Sequence, residues 1–145
     1  MSLREQFQVP GKRAALVDDC VALVDSEVGK KSGLSGVILK AGYAAVKGIK
    51  PGFIRKTVDG LFDRWAEKLE PFWEQAAAAG KSPRDHLIAN KSRVADALLE
   101  VTDEKAERAE IALVGSTYKK LRPTAKSHVE EAVPGLAAVI AKHAS

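Results

Sequence analysis

The chain has 145 residues, a formal net charge of +4, 29% charged residues and a single cysteine. One cysteine excludes an intrachain disulfide and a multi-cysteine metal cage, and it fits a reducing compartment. Charged residues interrupt every long apolar run and the opening MSLREQFQVPGKR lacks a secretory h-region, so a cytoplasmic protein without a membrane span is expected.

At this length one core should bury about 68–70% of the unfolded surface. Apolar residues recur at three- and four-residue steps almost throughout, with no period-two run. The reading is all-α: one domain over residues 1–145, a single antiparallel bundle of five or six helices with short connections.

The first predicted helix starts near Pro10, which suits a first turn, and buries Leu16, Cys20, Leu23, Val24 and Val28. GKKSG ends it. The second spans about 33–48 and carries Leu34, Val37, Ile38, Ala41, Ala45 and Ile49 on one side. Leu39 and Val46 widen that arc past half, leaving only Lys40, Tyr43, Lys47 and Lys50 as a polar wedge. Such a helix is either nearly surrounded by protein or lies in a membrane interface. Ala41, Ala45 and Gly48 form a small-residue strip open to close helix approach, which makes this helix the candidate surface for a homo-oligomer.

The KPG turn places Pro51 near the start of a third helix burying Ile54, Val58, Leu61, Trp65, Leu69 and Phe72. Its phase continues through Pro71 to Ala76, which predicts one bent helix. Gly80 reads as the residue just past that helix, and Ser82, Pro83 and Asp85 supply the N-cap, first position and first-turn acid of a fourth. The fourth helix is expected to run to about Glu100, Thr102 to cap a fifth, and Pro123 to separate a last one phased through Val129, Val133, Leu136 and Ile140.

Short patterns that imitate catalytic sites fail on context. GKS at 80–82 has Gln75 where a phosphate loop needs glycine, and Pro83 follows it. Tyr43 and Lys47 make Y-x-x-x-K without a preceding dinucleotide-binding unit. Ser116 and Lys119 make S-x-x-K without the companion elements. His86, His128 and His143 lack metal-ligand spacing, and Cys20 reads as a small buried hydrophobe. No catalytic residue, metal or cofactor is assigned.

Two charges interrupt apolar stripes: Lys91 among Leu87, Val94, Ala95 and Leu98, and Glu110 among Ala106, Leu113, Val114, Thr117 and Leu121. A hairpin turning near Thr102 would bring them within one helical turn, about 5 Å. Three readings follow: a partly buried pair fixing register, a snorkelling lysine and a solvated glutamate, or a small-ligand pocket at Glu110.

Residues 28–58 carry seven basic residues and no acidic one. Asp59, Asp63, Glu67, Glu70 and Glu74 form an acidic stripe on the third helix. A hairpin turning near Lys50 would set Lys40 against Asp59, Lys31 against Glu67 and Lys30 against Glu70. Lys47, Lys50, Arg55 and Lys56 have no such counterpart and form a candidate anion-binding cluster. Tyr118, Lys119, Lys120, Arg122 and Lys126 form a second. The favoured reading is a non-catalytic interaction or scaffold domain. The alternatives are a binder of nucleic acid or anionic lipid through residues 47–56, and a small-ligand binder or enzyme near Glu110.

Overall fold

Local punctuation decides several boundaries. A computed structural model of the chain describes residues 2–144, and these form seven helices with no strand among them. They are α1 (Leu3–Gln6), α2 (Pro10–Lys30), α3 (Gly33–Lys47), α4 (Phe53–Ala78), α5 (Pro83–Ala89), α6 (Lys91–Glu107) and α7 (Ala112–His143). Pro10 opens α2 as expected, and α4 runs 26 residues straight through Pro71. Gly80 at φ +66° ends α4. Its N–H donates to the Ala77 carbonyl at 3.2 Å and that of Lys81 to Ala76 at 2.9 Å, satisfying carbonyls the helix end would leave bare. Ser82 Oγ then accepts from the Asp85 N–H at 3.4 Å to start α5.

Other boundaries depart from expectation. The count exceeds five or six because α1 forms around Leu3 and Phe7, and because the predicted fourth helix is divided. Asn90 divides it: its side-chain amide donates to the His86 carbonyl at 2.8 Å, offering the backbone an alternative to the next helical bond. Thr102 does not cap a helix. Its hydroxyl donates to the Leu99 carbonyl at 3.1 Å within α6, and the turn falls at 108–111. Pro123 does not end a helix either, since α7 continues for 32 residues through Pro123 and Pro134. Each interior proline costs about 3 kcal/mol in a bare helix, a cost offset by burying Val133, Ala137 and Ile140 on one face.

Ion pairs hold several of the long helices antiparallel. Asp18–Arg55 at 2.9 Å and the Arg13 pairs with Asp59 and Asp63 align α2 with α4. Arg64–Glu104 at 3.0 Å and Lys68–Glu100 at 2.7 Å align α4 with α6. Asp96–Lys126 at 3.0 Å and Asp103–Arg122 at 2.8 Å close the α6–α7 hairpin, and Asp19–Lys142 at 3.0 Å ties α2 to α7. The buried arc of α4 is Val58, Phe62, Ala66, Leu69, Phe72 and Ala76. Phe62, not Leu61, takes the centre because α4 is covered from two sides, by α1 and α2 and by α6. Its ring meets Phe7 edge-on at 5.7 Å and Trp65 at 6.4 Å, and full burial of such a ring stabilises by about 1.5–3 kcal/mol.

The acidic stripe of α4 is answered from the N-terminus, not from α3. Arg4 pairs with Glu67, Arg13 with Asp59 and Asp63 at 2.9 Å, and the Leu3 N–H donates to Glu70 at 2.7 Å. Burying Leu3 and Phe7 holds this segment against α4, so Lys30 and Lys31 pair elsewhere, with Glu27 and with Glu27 and Glu131.

Helix α3 is inverted relative to its predicted wheel. Leu34, Val37 and Ile38 are 79%, 63% and 39% exposed. The inward side is built on glycine: a Cβ at Gly36 would lie 2.8 Å from the Lys31 carbonyl carbon, and one at Gly42 would lie 3.0 Å from Thr117 Cγ2 on α7. Close approach is made there and not at Ala41, Ala45 and Gly48, which are exposed. No helix among the described residues is long and apolar enough to cross a membrane.

Candidate functional site: an apolar cavity between the helices

Inward stripes of four helices converge without meeting. Leu23 and Val24 of α2, Phe62 and Trp65 of α4, Leu98 and Leu99 of α6, and Val129, Ala132 and Leu136 of α7 surround a cavity of about 270 Å³, with Leu39 of α3 completing the wall. Aliphatic side chains dominate the lining, and Ala132 is too short to reach across. The space is partly open to solvent, and Leu23, Val24, Leu39, Leu98, Val129 and Leu136 are each partly exposed along it, so a ligand covering them would gain about 25 cal/mol for each Å² of apolar surface removed from water.

The few polar members of the wall are nearly all satisfied. The Trp65 indole donates to the Leu98 carbonyl at 3.2 Å, and the Thr102 hydroxyl shares a 2.7 Å bond with Tyr118. Lys31, buried beside the cavity, bonds Glu131 and lies 3.7 Å from Glu27. Its ammonium holds the Glu131 carboxyl below the usual carboxylate range, with Lys91 a smaller contributor. Burial pushes the Cys20 thiol up to about 12, and the Asp19 charge adds to this, so the sulfur stays protonated and behaves as apolar wall. His128 is the exception. Both ring nitrogens are buried with no hydrogen-bond partner among the described residues, at a cost of about 1–3 kcal/mol for each such group.

The residues singled out from sequence are scattered around this cavity. Lys47 pairs with Asp25 at 3.5 Å, where Tyr43 also donates, and Arg55 pairs with Asp18. Two of the four turn cations therefore have internal partners on α2. Lys50 lies 6.0 Å from the Phe53 ring centroid. With Lys56 it borders a second depression of about 400 Å³, between the α3–α4 and α6–α7 turns, which Lys105, Arg108 and Glu110 also line. Arg122 holds Asp103 through two bonds, at 2.8 and 3.2 Å, and Lys126 holds Asp96, which leaves Lys119 and Lys120 exposed without an ion pair among the described residues.

The expected Lys91–Glu110 pair does not form. Lys91 opens α6 and Glu110 lies in the turn beyond its end, so the 17-residue helix, about 25 Å long, stands between them. Moving the turn from Thr102 to 108–111 is what separates them. Arg108 was missed because it belongs to a turn that sequence placed inside a helix, and Lys105 because it closes α6 at a point where a new helix was expected to be under way. The cavity was missed because its signal is a distance between stripes, which no residue type encodes.

Fold and cavity together define an all-α protein with an apolar pocket between its helices. The chain belongs to the Family of unknown function (DUF6918), whose model matches residues 3–144. No curated protein and no solved structure matches it.

Proposed function

We propose that the protein is a non-catalytic binding domain that takes up an apolar small molecule in the cavity between α2, α4, α6 and α7. The observation that carries this reading is the cavity itself, about 270 Å³ with an apolar wall. An apolar cavity of about 150 Å³ holds one benzene, so by proportion this one takes roughly ten or eleven carbon atoms. Binding is favoured over chemistry by the wall: its one thiol is held protonated by burial. A ligand that placed one hydrogen-bonding atom beside His128 would also remove the cost of one of its two partnerless nitrogens.

Calorimetric titration with unbranched primary alcohols of increasing length tests this. Affinity should rise about fourfold per methylene and level off near about ten carbons, where the volume is filled. The alkane of matching length should bind more weakly than the alcohol. A response independent of chain length would contradict the proposal.

A further inference from the structure

We propose that the outer face of α3 docks on an anionic lipid bilayer. Leu34, Val37 and Ile38 stand at i, i+3 and i+4 on one helix and are exposed at 79%, 63% and 39%, a contiguous apolar row of the kind that marks an interaction surface. With Leu113 and Ile111, in and beside the α6–α7 turn, they account for five of the six large hydrophobics exposed among the described residues. Gly42, on the inner side of α3, packs against Thr117 and Leu121 of α7, which leaves Leu34, Val37 and Ile38 turned outward.

Charge selects the occupant. No acidic residue occurs between 28 and 58. Lys40, Lys50, Lys56, Lys105 and Arg108 are exposed and make no ion pair among the described residues, and four of them gather where α3 turns into α4 and α6 into α7, against a single carboxylate there, Glu110. Helix α3 has no carboxylate of its own, so a second copy laid on the first would set lysine against lysine, with Asp25 beside it already paired with Lys47. Nucleic acid would answer the cations and leave the apolar row in water. A bilayer with anionic headgroups meets both, taking the apolar side chains into its interface and the cations at its surface. At 15 residues α3 lies in that interface and does not cross it. Leu39 on its inner side lines the cavity, so a docked α3 would separate the chamber from the membrane by one helix. The docking does not depend on what the cavity binds.

Cosedimentation of the full chain with vesicles of phosphatidylcholine alone, and of phosphatidylcholine with phosphatidylglycerol, is the test. Binding is expected only with the anionic vesicles and should weaken as salt is raised. Leu34→Gln with Val37→Gln, both neutral changes at exposed positions, should lower partitioning by about tenfold or more. Lys50→Ala and Lys56→Ala should each lower it about fivefold. Three outcomes would overturn the proposal: equal binding to both vesicles, anionic binding untouched by the Leu34/Val37 change, or a dimer in light scattering that this same change dissolves. Alcohol binding in the cavity should survive all four substitutions, which keeps the two proposals separable.

Discussion

The corner where α1 and α2 meet α4, and the centre where α2, α4, α6 and α7 face one another, are built on opposite terms. In the corner, volume is filled and polarity is answered. Leu3 and Phe7 are fully buried, and the Arg13 guanidinium donates to Asp59, to Asp63 and to the carbonyls of Phe7 and Asp59 while lying 5.4 Å from the Phe62 ring centroid. In the centre, apolar walls stand apart around about 270 Å³ and His128 has no partner among the described residues. Phe62 belongs to both, packing Phe7 on one side and lining the cavity on the other. A corner of this kind has only stability to supply, whereas the centre forgoes stability that a ligand can restore.

The sharpest break in that comparison is Phe7→Ala. It removes a fully buried ring from a filled site and should cost about 3–5 kcal/mol, read as a fall in denaturation midpoint. Leu23→Ala, in a wall already bordered by free volume, should cost distinctly less, about 1–2 kcal/mol; equal losses would erase the distinction. Arg13→Ala comes next, at about 2–3 kcal/mol, because it strips charge-assisted bonds from a side chain only 17% exposed. In the centre the sign reverses. Ala132→Leu adds three carbons where there is room and should stabilise by about 1–2 kcal/mol while weakening alcohol binding.

The smallest effect is expected from acid. Arg122, and then Tyr118, hold the Asp103 carboxyl below its usual range; His143 and Lys142 do the same for Asp19, and Lys31 for Glu131. Since folding lowers these pKa values, the unfolded chain binds more protons in that window. The stability they contribute is present above the ordinary carboxylate pKa of about 4 and is lost as pH falls through the lower folded values. Urea denaturation across that range should show the decline, and Asp103→Asn should make it shallower.

What was legible in the sequence is what local chemistry decides. Pro10, Gly80, Ser82 and Pro83 act within a turn of themselves, and α2, α4 and the junction before α5 begin or end where those residues demand. Cys20 was read as buried from its stripe alone. Thr102 and Pro123 were misread, and Asn90 was passed over within the fourth helix, because each can break a helix or sit inside one, and packing chose: Asn90 breaks, the other two do not. Every error about charges followed from such a choice. Once the turn moved to 108–111, Lys91 and Glu110 were separated; once Leu3 and Phe7 docked, Arg4 and Arg13 took the acids expected to face α3. Residues of the cavity wall such as Leu69, Leu98, Val129 and Leu136 were placed on inward stripes, but the gap between those stripes is a property of helix spacing.

Trp65 lines the cavity and Trp73 does not, which allows the central claim to be read directly. In a Trp73→Phe background, titration with a bromoalcohol of about ten carbons should quench Trp65 fluorescence along a saturable, single-site curve. Filling the chamber with Ala132→Phe should abolish that curve. Linear, unsaturable quenching that is the same in both proteins would contradict a binding cavity.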